Sequence, residues 1–386
     1  MTPAPRLLLA VPFVSTLDRF AMPPMMVSMA AQLGLPLSQI VHAVGAYVLA
    51  YGIMQPAWGM VSDRAGLVTT MRVALALGAV STIASAFTGS ALALALTRGL
   101  AGACFAAAIP GSLVYLGDTV PAQRRQREIT NLMAGVAVGT ALASTAAGVL
   151  VEYSTWRIAF AVTGLAALLL SLALGRLPAP PRSRAHIGVL APLAAVTRSR
   201  PALLVLALAF VEGGVVIGVL TLLPAAVEAA GAGAAVAGAV TAAYGVAVLA
   251  FSQLVGRLSR RVHAWRLIAY GAAAAVTACA LVAWSRSPAA ALTAAGLLGA
   301  AWAAMHSSLQ TWATEVLPAA RATVVSAFAG ALFLGSAVAA VTVAGLAEQL
   351  RFALIFAWAA ALAVPLGLAG ALGRRRWIRP EGEPGG

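Results

Sequence analysis

The chain has 386 residues, of which 61% are apolar and only 9% charged, with a formal net charge of +14. A soluble domain carries charge on roughly a quarter of its residues, so a soluble globular protein of this size is excluded. A nucleic-acid partner is not needed to explain the surplus charge, because its placement orients a membrane protein and meets anionic lipid.

Apolar stretches recur from end to end, each long enough to cross about 30 Å of hydrocarbon as a helix. Lipid offers no hydrogen-bond partners, so a spanning segment is a helix or part of a closed barrel. A barrel needs alternating apolar and polar residues in runs of about ten. The stretch 159–174 is continuously apolar instead. The first apolar stretch continues past Asp18-Arg19 to about residue 30, too long for a signal sequence, and is read as a spanning helix. Twelve spans are expected at 7–30, 38–61, 68–89, 91–115, 128–151, 156–175, 201–227, 235–256, 265–285, 288–314, 322–346 and 351–373. Turn signals at Gly34-Leu35-Pro36, Thr88-Gly89-Ser90, Val120-Pro121 and Ser287-Pro288 separate several of them. Cys104 and Cys279 fall inside apolar segments and read as small buried residues.

All 25 basic residues are arginine. With the N-terminus placed in the cytoplasm, twenty fall on that side, including Arg6, Arg64, Arg72, Arg182, Arg184, Arg261, Arg321 and Arg379. Three (Arg157, Arg286 and Arg351) lie outside, and two (Arg19 and Arg98) lie within the membrane. That bias places both termini in the cytoplasm of a cell (inner) membrane protein. The one long polar connection, 177–200, divides the chain into an N-terminal six-helix bundle at 1–176 and a C-terminal one at 201–373, with a cytoplasmic tail at 374–386. Shifting the sequence by 197 residues without gaps aligns the halves: Tyr47 meets Tyr244, Gly59 meets Gly256, Arg64 meets Arg261, Gly102 meets Gly299 and Pro121 meets Pro318. Six helices separate equivalent positions, so the expected fold is all-α and polytopic, with twelve transmembrane helices in two parallel six-helix repeats.

Helices two and three are expected to be joined by Gly59-Met60-Val61-Ser62-Asp63-Arg64-Ala65-Gly66, with Arg72 beyond. This segment resembles the G-x-x-x-D-R-x-G signature of the major facilitator superfamily, at the position where that family carries it. The resemblance extends over helix count, central loop and paired halves, and implies the major facilitator fold. It implies a latch in which Gly59, Asp63, Arg64, Gly66 and Arg72 hold the inside closed against the start of helix eleven, near Arg321, where a helix N-terminus favours a carboxylate. The sequence departs from the pattern at Leu67-Val68, where a basic pair is usual, and in the second half, where Arg260 stands in place of the acid. Arg98-Gly99-Leu100-Ala101-Gly102 resembles an element of proton-driven members, of the drug/proton antiporter-like branch. Gly135, Gly139 and Gly148 resemble only loosely the glycine motif of exporters and read better as helix packing. Asp18-Arg19 also resembles the spinster-like branch.

Ionisable groups at depth are costly and mark cavities or ion paths. Asp18 and Arg19 lie roughly 17 Å along helix one; neighbours about 100° apart do not face each other. Arg98 reaches a similar depth on helix four, so an Asp18–Arg98 pair is geometrically available for proton coupling. Glu212, on helix seven beside Gly213-Gly214, is the candidate for meeting a cationic group or a second proton. Tyr47, Tyr51 and Gln55 share one face of helix two; Trp302, His306 and Gln310 share one face of helix ten; Tyr244 extends the same lining on helix eight. His306 is expected to contact substrate. No metal cluster, nucleophile–base set or phosphate loop is recognisable, so neither a cofactor nor an enzyme is expected.

The leading expectation is a secondary transporter working by alternating access as a monomer, with protons, lipids and one small molecule as its partners. Asp18, Arg98 and Glu212 would couple protons to export of an amphipathic or cationic compound. The alternatives are uptake of an anionic nutrient gripped by Arg19 and Arg98, and movement of lysolipid.

Overall fold

The computed structural model describes residues 3–180 and 190–377. Arg182, Arg184 and Arg379, and the tail beyond Trp377, lie outside the described residues. Twelve helical spans follow in chain order: α1 (Pro3–Ala21 continued by Met26–Leu33), α2 (Leu37–Ala65), α3 (Leu67–Ala86), α4 (Ala91–Thr119), α5 (Ala122–Tyr153), α6 (Trp156–Ala173), α7 (Arg200–Glu228), α8 (Ala234–Leu258), α9 (Ala264–Trp284), α10 (Pro288–Glu315), α11 (Arg321–Glu348) and α12 (Phe352–Arg376). Eleven are by themselves long and apolar enough to cross a bilayer. The first crosses in two pieces, because Pro23-Pro24 removes two backbone donors and turns the chain through a short 3-10 segment at Pro23–Met25.

Two boundaries differ from expectation for local reasons. The Gly59–Gly66 segment is not a loop: α2 runs on through Asp63 and Arg64 to Ala65, and Gly66 alone, at φ +90°, turns the chain into α3. The central connection is not wholly irregular, since Leu190–Arg198 forms a helix that packs on the Pro318–Ala320 turn and the start of α11. Several starts are capped as their sequences suggest. Ser90, Thr155, Ser199 and Ser287 each accept a hydrogen bond from a backbone N–H two or three residues on.

The helices pair in the same way in each half. The pairs α1–α5, α2–α4 and α3–α6 recur as α7–α11, α8–α10 and α9–α12. Between the halves, α2 packs on α11 and α5 on α8, again equivalent pairs. The 197-residue offset is realised atom by atom: a Cβ on Gly102 of α4 would overlap the Tyr47 carbonyl of α2, and one on Gly299 of α10 would stand 3.0 Å from the Tyr244 carbonyl of α8. Gly139 is closed in by Phe13 and Thr16 of α1, and Gly148 by Ala234 and Gly238 of α8, so the α5 glycines serve packing. Leu92, Leu96 and Leu100 of α4 and Leu165, Leu169 and Leu172 of α6 stay exposed on outer faces, where only lipid would cover them.

Contacts between the halves gather toward one side. The end carrying Asp63, Arg64, Arg125, Arg321 and Arg374 is called here the arginine-rich face. From mid-helix toward the opposite face the seams are tight: Gly52 meets Phe333, Gly45 meets Ala340, Gly245 meets Ala137 and Ala141, and Gly148 meets Gly238. Toward the arginine-rich face, Gly59 and Gly256 have open space where a Cβ would stand. The halves are thus closed on one face and parted on the other.

Replacing Gly102 by Val would drive a side chain into the Tyr47 backbone. The expected loss is about 1–3 kcal/mol, read as a lower thermal unfolding midpoint in detergent. Gly296→Ala, where a Cβ meets nothing within 4 Å, is expected to leave the midpoint within a degree or two.

Candidate functional site

The first of three polar clusters lies wholly within helices one to six. Arg98 of α4 is 1% exposed and Asp18 of α1 is fully buried. The guanidinium grips the carboxylate with both ends, Nη1 to Oδ1 at 3.0 Å and Nη2 to Oδ2 at 2.7 Å, and Nη2 reaches the Asp18 carbonyl at 3.4 Å. Thr82 of α3 donates to Oδ1 at 2.8 Å. The flat faces of the guanidinium lie 4.7 Å from the Tyr47 ring and 4.6 Å from Phe160. The bidentate geometry and the aromatic walls suit arginine, not lysine. The pairing that helix depth made available is therefore present, and Asp18 does not pair with its neighbour Arg19.

The second cluster lies in the other half, again between its first and fourth helices. Glu212 of α7 is fully buried, with Oε2 3.2 Å from Nδ1 of His306 on α10. Oε1 is buried without a hydrogen-bond partner. The His306 ring stacks on Trp302 at 3.7 Å and leans on Phe328 at 5.6 Å. Both helices widen into π turns here, Gly213–Gly218 in α7 and Trp302–His306 in α10; such turns release backbone geometry at functional positions. Gly213-Gly214 admits a neighbouring backbone and not a ligand: a Cβ on Gly213 would overlap the Leu332 carbonyl of α11.

The third cluster sits at the seam. Arg19 projects between the halves, its guanidinium 5.4 Å from the Tyr51 ring of α2 and 5.8 Å from Phe333 of α11, with Phe20 at 4.8 Å. Its Nε is buried without a partner, and among the described residues no carboxylate pairs with it. Tyr244 of α8 lies within electrostatic reach of both Arg19 and Glu212, so it stands between the second and third clusters.

Other expected site residues take different places. Tyr47 and Tyr51 are 3% and 1% exposed and stack on one another, walling the charges instead of facing open space. Gln310 is exposed, and among the described residues it has no hydrogen-bond partner, so it does not join the Trp302–His306 stack. Asp63, Arg64 and Arg321 are exposed, and among the described residues none makes an ion pair. Among the described residues the expected latch is not formed in this conformation; the Leu190–Arg198 helix packs at the start of α11. Arg72 does not reach across either, because its Nε donates to the Ser171 carbonyl of α6 at 3.2 Å. Thr82, Phe160, Phe328 and Phe333 complete the clusters and were not anticipated. Thr82 alone had a signal, a hydroxyl beside Ser81 and Ser85 in an apolar helix.

Two parallel six-helix bundles, parted on one face around buried charges, define a membrane transporter fold. The chain belongs to the major facilitator superfamily, whose family model matches residues 8–340; the family is one of transporters and not of enzymes. It is similar to the hexuronate transporter of Escherichia coli strain K12, 29% identical over 156 residues, 40% of this chain and 36% of that protein. It is also similar to MdtD of Escherichia coli, a protein named for multidrug resistance, 27% identical over 150 residues, 39% of this chain and 32% of that one. The matched stretch spans only about a third of the length of either relative. Among solved structures, a bacterial homologue of the lysosomal transporter Spinster, inward-facing and unoccupied, superposes with a TM-score of 0.77 at 16% identity, covering 97% of this chain and 98% of that one.

Asp18→Asn would leave Arg98 buried beside a neutral partner. The expected destabilisation is about 3–5 kcal/mol. In a double-mutant cycle measured by thermal unfolding, Asp18→Asn with Arg98→Gln is expected to lose much less than the sum of the single changes.

Proposed function

We propose that this chain is a proton-coupled transporter of a small organic anion, working by alternating access with a carboxylate held at Arg19. One observation carries the reading. Of the charges at mid-membrane, both carboxylates already have basic partners, whereas Arg19 stands at the seam of the two halves with none. A cation in a low-dielectric seam needs an anion, and a substrate carboxylate can supply it in the bidentate form that guanidinium favours. Tyr51 and Phe333 supply aromatic walls beside the charge, which would suit a ring or alkyl body on the same molecule. The resemblance to a hexuronate transporter supports an acidic substrate.

On this reading Asp18 is the proton-carrying group. Protonation weakens its hold on Arg98 and removes a negative charge from the residue next to Arg19 in α1, so proton and anion binding reinforce one another. The coupling sites are then Asp18 and Arg98, with Glu212–His306 a second pair whose charge depends on a proton. The protein acts as a monomer in an inner membrane with both termini cytoplasmic, as the arginine bias supports. Export of an amphipathic cation is the second reading. The unpartnered Oε1 of Glu212, the aromatic stack beside its other oxygen, and the resemblance to MdtD favour it.

Transport in proteoliposomes separates the two. The expected outcome is uptake of a hexuronate driven by an inward proton gradient, reduced at least 100-fold by Arg19→Gln, with smaller loss for Arg19→Lys. Accumulation is lost in Asp18→Asn while anion exchange persists. If Arg19→Gln leaves anion uptake intact, or only organic cations move and Glu212→Gln stops them, the anion reading falls.

A further inference from the structure

The closed face is fastened by two hydrogen bonds that repeat each other across the halves. Glu348, the last residue of α11, accepts through Oε2 from the backbone N–H of Ser38, the second residue of α2, at 2.8 Å. Glu152, near the end of α5, accepts through Oε2 from the N–H of Ala235, the second residue of α8, at 2.7 Å. Ser38 and Ala235 are 197 residues apart, the repeat offset, and Glu152 and Glu348 are 196 apart. Each bond joins a helix of the first half to a helix of the second.

In both cases the donor lies in the first turn of a helix, where N–H groups lack intrahelical partners and the helix dipole favours negative charge. Neither helix has a capping side chain of its own, for Pro36 and Gly233 occupy those positions. The cap therefore comes from the other half. Both carboxylates are exposed, so on release water takes over each partner at small cost. Glu228, the last residue of α7, lies within electrostatic reach of Glu152 and holds a buried Oε1 without a hydrogen bond. Burial, and then the Glu152 charge, push the Glu228 carboxyl up to about 8, so it is largely neutral near pH 7 and leaves the α5–α8 bond standing.

We propose that Glu152 and Glu348 are the two catches of a latch on this face, and that both must let go before the face can open. The proposal rests on the alternating-access reading. Opening this face must part α2 from α11 and α5 from α8, the two helix pairs that the catches bridge. A capping carboxylate is worth about a fivefold shift in a two-state equilibrium, so two independent catches multiply to about 25-fold.

The test uses the full chain in liposomes with Met25→Cys, a position fully buried in the Pro23–Met25 turn that packs against α5, α7 and α8. Its alkylation by a membrane-impermeant maleimide added on this face reads the open population. Cys104 and Cys279 are buried, and the chain without Met25→Cys supplies the background. Glu152→Ala and Glu348→Ala are each expected to raise the rate about fivefold, and together about 25-fold. The proposal is overturned if the double variant labels at the parent rate while Gly238→Leu, which wedges α5 from α8, labels faster. If substrate and a proton gradient leave the parent rate unmoved while the catch variants still raise it, alternating access fails and the catches stand.

Discussion

A guanidinium in hydrocarbon has to bring its own solvent, and the first half of this protein is arranged around meeting that demand for Arg98. Two oxygens and a carbonyl of Asp18 take donors from both of its Nη groups, leaving only Nε unpartnered, Thr82 fixes one of those oxygens, and Tyr47 and Phe160 cover its faces. These groups come from five helices, α1, α2, α3, α4 and α6, so one residue fixes how most of the bundle fits together. Gly102, one turn along α4, allows α4 to lie against the Tyr47 backbone closely enough for that ring to serve as a wall. Each part is needed because a buried pair gains little over apolar packing, yet loses several kcal/mol when one partner goes.

The second half solves the equivalent problem with weaker groups. Its acid and base again come from the first and fourth helices, but the base is a histidine and one carboxylate oxygen is left over. The bases differ in kind: a guanidinium keeps its charge and grips with two donors, whereas an imidazole gains or loses its charge with one proton. The π turns in both contributing helices add local give that the first half lacks in α1 and α4 at the level of its pair. Each half thus pairs its buried acid with a base of its own, and Arg19 stands between the halves with no carboxylate partner among the described residues.

Much of this was legible in the residues. Apolar length marked the spans because lipid tolerates no other spacing, and the offset of 197 paired Tyr47 with Tyr244 and Gly102 with Gly299 before their shared backbone contact was seen. Helix depth alone brought Asp18 within reach of Arg98. What could not be read was any property that depends on two helices meeting at a given rotation. Phe333 and Phe328 are two of 11 phenylalanines in an apolar chain, and only the approach of α11 to α2 and α10 selects them. Gly213-Gly214 signals a close approach without saying of what. The break at Pro23-Pro24 was in plain view, but a long apolar run suggested continuity that two missing donors prevent.

The conformational state lies furthest from the sequence, because the same side chains serve two arrangements. The pair α2–α11 makes the point. The first turn of α2 is held by Glu348 at the end of α11, while Asp63 in the last turn of α2 stands exposed and away from the first turn of α11. Both are the same device, a carboxylate offered to the bare start of a partner helix, placed at opposite ends of two antiparallel neighbours. Rigid helices that rock about a mid-membrane contact, here Gly52 against Phe333, cannot close both ends at once. Each catch that forms on one face therefore requires its counterpart on the other to be open. If Asp63 caps α11 in the other state as Glu348 caps α2 in this one, the two devices are alike, and on the proposed reading a small binding energy at Arg19 suffices to tip the balance.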